Sequence, residues 1–181
     1  VPCVGLRISG GRIEKNYRDS TIRIYELEPF TSYYIEMENS SFDNVAWQIH
    51  KPIISVTVNA NQYRFIQVPI RVLGEVSGTV MLDSDSLRKG QGRVVLSFYR
   101  SDSTLFASTV TEEDGYFSFM GFPPGSYYVK VSTTQLEQIR MRAEPKILPF
   151  TINRSKEGDL ADGLEFILYR KESADGHNEK P

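Results

Sequence analysis

The sequence predicts an all-β chain: two tandem small antiparallel Greek-key β-sandwich modules, the first lacking its first strand. Three observations predict it. Apolar residues recur at every second position, Gly, Pro, Asp and Ser interrupt these runs at short intervals, and one nine-residue segment occurs twice. The expected division is a partial module over residues 1–73, a complete module over 74–170, and a polar tail over 171–181 that should be disordered.

Alternation is clearest over residues 92–99. Val94, Leu96 and Phe98 fall on one face, and Arg93, Val95, Ser97 and Tyr99 on the other. Leu164, Phe166 and Leu168 repeat the pattern near the end of the second module. Residues 75–82, 105–111, 116–119 and 127–131 are its other expected strands.

Turn chemistry separates them. Asp114-Gly115 suits a tight hairpin, because glycine tolerates positive φ. Pro123-Pro124-Gly125 is a second stop, with Gly125 expected in the left-handed position of a type II turn. Tyr127, Val129 and Val131 should then face inward, and Tyr128 and Lys130 outward. A single helical turn or two is expected near residues 133–141. There Thr134 and Glu137 have capping-box spacing, Leu136 and Ile139 share a face, and Pro145 stops any extension.

The repeat defines the organisation. Residues 29–37 (Pro-Phe-Thr-Ser-Tyr-Tyr-Ile-Glu-Met) match residues 123–131 (Pro-Pro-Gly-Ser-Tyr-Tyr-Val-Lys-Val) at a spacing of 94, with four identities in nine. Upstream, Ile22, Ile24 and Leu27 correspond to Phe117, Phe119 and Phe122 at a spacing of 95. Val4 to Ile8 then match Val94 to Phe98, and nothing before them matches residues 75–82. The first module should therefore continue through strands over 44–49, 53–58 and 63–70, with Pro69 marking an edge or an end. Its uncovered edge should invite pairing with another chain. Val72-Leu73-Gly74 leaves only a short link to the next module. The chain opens within a strand-like run, as an interior piece of a longer protein would.

Composition narrows the function classes. Lys and Arg number 21 against 23 Asp and Glu, a formal charge of -2, with no basic stripe to neutralise phosphates. No nucleic-acid partner is expected. No apolar run reaches the ~20 residues that cross a bilayer as a helix. The single cysteine, Cys3, excludes a disulfide within one chain, and no signal for its lipidation precedes it.

Several motifs together resemble a known plan. They are Gly78-x-Val80, Gly92-x-x-x-Leu96, the run Thr111 to Phe119 with Asp114-Gly115-Tyr116-Phe117, and Phe122-Pro123-Pro124-Gly125-Ser126-Tyr127. This arrangement resembles the prealbumin-like superfamily, with its carboxypeptidase regulatory-like domains and the B-type repeats of bacterial surface adhesins. The resemblance implies a non-catalytic structural or spacer module of a larger surface, secreted or envelope protein, outside the cytoplasm. Its partners would be neighbouring modules of the same longer chain.

The chemistry associated with such folds lacks its residues here. Transthyretin-like hydrolases carry several histidines and a Tyr-Arg-Gly-Ser ending, whereas here Tyr169-Arg170 is followed by Lys171-Glu172. The two histidines are His50, expected in a solvent-facing turn, and His177 in the tail. No His-Glu cluster exists to bind zinc. Calcium sites of B-type repeats would fall at Asp83 and Asp85, but Leu87-Arg88-Lys89 replaces the acidic run such a site needs. Glu112, Glu113 and Asp114 read as a solvated acidic turn. An isopeptide bond would need a lysine in residues 75–82, and there is none; Lys130 points outward and Lys89 lies in a loop. Glu165 with Glu36 or Glu38 has no spacing that recommends a catalytic pair. No catalytic residue, cofactor or metal is expected. The alternative role is binding of protein or glycan by exposed aromatics, with Tyr34, Tyr99 and Tyr128 as the candidates.

Overall fold

Alternating side chains fold into strands throughout the computed structural model, which describes residues 4–19, 21–84 and 87–171. Contacts divide the chain into two units. The first takes in Val1–Leu73 with Ser155–Gly158, and the second Gly74–Arg154 with Asp159–Pro181.

Unit 1 contains β1 (Gly5–Ile8), β2 (Arg12–Asn16), β3 (Thr21–Tyr25), β4 (Ser32–Glu38), a 3-10 turn (Asn39–Ser41), β5 (Trp47–Ile49), β6 (Ile53–Thr57) and β7 (Ile70–Val72). Its sheets are β1-β4-β6, β2-β3 and β5-β7. Met37, Phe42 and Ile49 form its buried centre, and Val4, Leu6, Trp47, Ile54 and Val68 pack around them. The Trp47 indole donates to the Lys156 carbonyl at 2.8 Å, and Asn44 donates to Glu157, which ties residues 155–158 to this unit.

Two expected strands are shorter than the sequence suggested. Asn44 accepts from the Ala46 N–H at 2.8 Å, a local turn that delays β5 to Trp47. Of residues 63–70, only Ile70 enters a ladder. Residues 58–69 run without strand partners.

Unit 2 contains β8 (Gly74–Ser84), β9 (Leu87–Gly90), β10 (Val95–Arg100), β11 (Leu105–Val110), β12 (Tyr116–Phe122), β13 (Gly125–Val131), α1 (Thr133–Gln138), β14 (Met141–Glu144), β15 (Leu148–Ile152) and β16 (Leu160–Arg170). One sheet has the order β11-β10-β13-β15. The other runs β12-β8-β16-β14, with β9 paired to β8. The strand pairs are antiparallel except β8 with β16, which is parallel.

The alternation read from residues 94–98 is the core of this unit. Leu96, Phe98 and Val129 face Val76, Val80, Phe117, Phe166 and Leu168, all withdrawn from water. Phe98, Phe122, Tyr127 and Phe150 meet ring to ring, with the Phe98 and Phe122 centroids 5.3 Å apart and edge-on. Burying each such ring contributes about 2–3 kcal/mol, so this cluster anchors the two sheets.

Three turn details differ from expectation. Gly115 has the positive φ foreseen, 84°, but the turn joins β11 of one sheet to β12 of the other rather than closing a hairpin. Gly125 does not take a left-handed conformation, because it already pairs with Ile152 at the start of β13. The positive φ, 133°, falls on Gly121 instead, at an irregularity of β12. Helix α1 is capped by Ser132, whose hydroxyl accepts from the Gln135 N–H at 3.3 Å, and not by a Thr134–Glu137 box. Leu136 packs on the core, whereas Ile139 stays exposed.

The two units share one register over five strands of unit 1, and differ in that β2 pairs with β3 there whereas β11 pairs with β10 in unit 2. Leu6 stands opposite Met37 and Ile8 opposite Ile35, as Leu96 stands opposite Val131 and Phe98 opposite Val129. Tyr33 pairs with Val56 and Ser32 with Thr57, as Tyr127 pairs with Phe150 and Ser126 with Thr151. Trp47 faces Val72 and Ile49 faces Ile70, as Met141 faces Arg170 and Ala143 faces Leu168. Thus β1, β4, β5, β6 and β7 correspond to β10, β13, β14, β15 and the end of β16. Among the described residues, unit 1 has no strand corresponding to β8. Residues 62–70 are the counterpart of Leu160 to Leu168, the stretch of β16 that pairs with β8, and of these only Ile70 is in a ladder.

Candidate functional site

The outward positions of the β11-β10-β13-β15 sheet gather the most distinctive surface chemistry. Strand pairing sets Tyr99 opposite Tyr128, and their rings stack with centroids 5.2 Å apart and planes 13° from parallel. Lys130, two residues along the same face of β13, holds its Nζ 5.1 Å from the Tyr128 ring centre and 5.5 Å from that of Tyr99. The ammonium is drawn to the negative ring faces. Leu105 and Val110, at the two ends of β11, are exposed large apolar residues of this sheet, and Ile147 is another just before β15.

The three tyrosines expected to form a surface do not act alike. Tyr99 and Tyr128 come together in unit 2. Tyr34, the counterpart of Tyr128, belongs to unit 1, lies opposite Ser55 and is 65% exposed. The position matching Tyr99 there is Ser9, just past the end of β1, so no ring covers it. Sequence alternation placed Lys130 and Tyr128 on one face, but their junction with Tyr99 needed the β10–β13 register.

The inward tyrosines are structural. Tyr127 donates its hydroxyl to the Pro123 carbonyl at 2.8 Å, and burial pushes its phenol above the ordinary value, with Arg100 opposing weakly. In unit 1 the Tyr33 hydroxyl accepts from the Glu28 N–H at 2.9 Å. Each ring thus fastens the bend that precedes its own strand.

Other candidate residues stay apart. His50 is exposed just after β5. Asp83 lies 4.0 Å from Arg88, and Asp85 is outside the described residues, as are Cys3, His177 and the tail over 172–181. Glu112, Glu113 and Asp114 are exposed, and Asp114 accepts from the Tyr116 N–H at 2.9 Å. Glu38 pairs with Arg7 and Glu165 approaches Arg88 at 4.0 Å, while Glu36 stands opposite Arg7 in the β1–β4 ladder; Glu36 and Glu38 belong to unit 1 and Glu165 to unit 2. Among the described residues, no group of three or more His, Cys, Asp or Glu side chains is placed to hold a metal ion. An open hollow of about 310 Å³ in unit 1, between Asn39, Phe42, Val45, Trp47 and Leu73, presents no converging charged groups. No helix among these residues is long and apolar enough to cross a membrane.

Comparison with known proteins gives one family and a set of distant folds. The family described as BOS complex subunit NOMO1-like, second beta sandwich domain, matches residues 75–148, less than half of the chain. No curated protein matches. Among solved structures, the Bacillus anthracis TIE protein is 10% identical with a TM-score of 0.40, over 92% of this chain and 31% of that one. GBS52, the minor pilin of Streptococcus agalactiae, is 13% identical with a TM-score of 0.43, over 86% of this chain and 68% of that one. BcpA, the major pilin subunit of Bacillus cereus, is 12% identical with a TM-score of 0.41, over 83% of this chain and 42% of that one. The chain therefore spans about a third of the first of these proteins.

Proposed function

We propose that this chain is a non-catalytic structural spacer of a longer extracytoplasmic protein, built from prealbumin-like modules, and that unit 2 is made to bear tension. The observation that carries the reading is the parallel pairing of β8 with β16, the first and last strands of that unit. It runs from Glu75 opposite Leu160 to Leu82 opposite Leu168. Tension along the chain would pull the Gly74 end of β8 and the Arg170 end of β16, which lie at opposite ends of this ladder. The load then falls on all its hydrogen bonds together, in shear, rather than on one at a time.

Supporting features point the same way. The interior of unit 2 is filled by its own aromatic side chains, which leaves no room for a substrate. The same module occurs twice, as expected of a repeat whose role is length. The family matched over residues 75–148 is by its description one β-sandwich domain among several, which agrees with a piece of a longer chain. The location outside the cytoplasm, in a bacterial envelope, rests on the motif resemblance, and the expected partners are adjoining modules.

Single-molecule pulling tests this. With handles at residues 74 and 170, unit 2 should unfold in one event that releases about 330 Å of chain. The force should exceed that found with handles at residues 74 and 160, which unzip the same ladder from one end. Equal forces for the two geometries would contradict the proposal.

A second reading has its own observation, the exposed Tyr99–Tyr128–Lys130 stack. Such a face suits a protein or glycan ligand that lies over aromatic rings. Loss of binding to an immobilised glycan array in Tyr128→Ala would support it, and no binding by the parent chain would remove it.

A further inference from the structure

Within unit 2, the outer face of the β11-β10-β13-β15 sheet differs in kind from that of the opposite sheet. Its four strands contain no Asp or Glu, and their charged residues are Arg100 and Lys130, in a chain of formal charge -2. Asp102, in the β10–β11 turn, is engaged by the Thr104 hydroxyl at 2.7 Å. The opposite sheet pairs its ions instead, Arg88 with Asp83 and Glu165, and Arg142 with Glu144. Among the described residues, Lys130 has no such carboxylate partner.

Strand register arranges this face in rows. Leu105, Tyr99, Tyr128 and Pro149 stand side by side across all four strands, an apolar strip about 14 Å long. Hydroxyls border it on both sides. Ser97 and Ser108 lie in the row of Lys130, and Ser126 stands opposite Thr151 across the strip. Leu105, Pro149, Ser108, Ser126 and Thr151 are exposed, and the two rings and Lys130 are half-buried. The internal duplication supplies a control. The shared register in unit 1 folds with Ser9 at the Tyr99 position and Glu36 at the Lys130 position, so the strand pairing requires neither the second ring nor the cation.

Resting on the reading of the Tyr99–Tyr128–Lys130 face as a binding surface, we propose that its ligand is an anionic polysaccharide, a chain of sugars bearing carboxylates, laid along the strip. The apolar C–H faces of the sugars cover the tyrosine rings, and a carboxylate meets the Lys130 ammonium. Charge complementarity selects the acid, since the sheet offers cations and no competing carboxylate. The bordering hydroxyls both donate and accept hydrogen bonds, as sugar hydroxyls do, which favours a sugar chain over a peptide of acidic side chains.

The test is titration calorimetry of the full chain with hexasaccharides of galacturonate, glucuronate and mannuronate, each beside its neutral methyl ester. At least one acid should bind, at least tenfold more tightly than its ester, and raising salt from about 50 to about 500 mM should weaken it at least threefold. Lys130→Gln should bring that acid and its ester within twofold of each other. Tyr99→Ser, which installs the residue of unit 1, should weaken both at least tenfold; should it fail to fold, Lys130→Gln decides alone. Acid and ester bound alike by the parent, and both lost in Tyr128→Ala, would overturn the anionic ligand while leaving the aromatic binding face standing. No binding of any of the six sugars would also overturn the proposal, and the array of neutral glycans then decides the binding reading separately. An acid whose preference survives Lys130→Gln, or polyglutamate of like length bound as tightly as the best acid, would each count against it equally.

Discussion

Tyr33 and Tyr127 occupy the same station in two separate ladders. Each is the second residue of a Ser-Tyr-Tyr run in an inner strand of its sheet, each is 7% exposed, and their cross-strand partners Val56 and Phe150 are spaced alike. A register shift of one residue in either unit would turn one of these rings to solvent. The common burial therefore fixes both registers.

Their hydroxyls differ in use, and this has a measurable consequence. Tyr127→Phe removes the donor to the Pro123 carbonyl and should cost about 1 kcal/mol at neutral pH by urea denaturation. Burial raises the Tyr127 phenol above the unfolded value of about 10. Its contribution is complete below pH 10 and declines as the pH rises further, because the unfolded chain then loses a proton that the folded one keeps. Parent protein should lose stability above pH 10 more steeply than Tyr127→Phe; parallel profiles would contradict the burial account.

Glycine positions give a sharper contrast than the Pro-Pro-Gly motif suggests. Gly125→Ala should be nearly neutral, since its Cβ would meet only the Tyr127 ring at 3.5 Å and its φ is ordinary. Gly121→Ala should cost about 1–2 kcal/mol through its φ of 133°. Gly78→Ala should cost about 1–3 kcal/mol or more, because the new methyl collides with β16. Melting curves of the three variants check this order.

The equivalent core positions should also differ in weight. Phe122→Ala removes a fully buried ring and should cost about 3–5 kcal/mol. Leu27→Ala, at the counterpart position and partly open, should cost less than about 2 kcal/mol. Chemical denaturation followed by amide exchange in each unit separates the two effects.

On the outer face, Tyr128→Ala should destabilise unit 2 by about 0.5–1.5 kcal/mol through loss of the stack with Tyr99 and the Lys130 contact. Tyr34 has no ring partner among the described residues, and Tyr34→Ala should stay within about 0.5 kcal/mol of the parent. The same measurement shows whether the face is built as cover or held free.

What could be read from the sequence followed from burial. Val94, Leu96 and Phe98 alternate with polar residues because one face of β10 is covered, and that pattern survives in one dimension. β2 (Arg-Ile-Glu-Lys-Asn) and β9 (Leu-Arg-Lys-Gly) carry mostly polar side chains, so their pairing rests on backbone bonds that leave no hydropathy signal. β14 begins at Met141, the last residue of the expected helix, and β15 has Pro149 at its second position. The repeat was legible at Ser-Tyr-Tyr, where identity survives. Its extension to Ile54 with Leu148 and Thr57 with Thr151 became evident only once β6 and β15 were seen in one register. The Tyr99–Tyr128–Lys130 contact was invisible for the same reason: it depends on which strand lies beside which.

One strand register, present in two copies, organises both units. Cross-strand NMR contacts measured in the intact chain test this most directly. Backbone contacts are predicted between Tyr33 and Val56 and between Leu6 and Met37, matched by Tyr127 with Phe150 and Leu96 with Val131. A pairing displaced by one residue in either unit, with Tyr33 or Tyr127 turned to water, would contradict it.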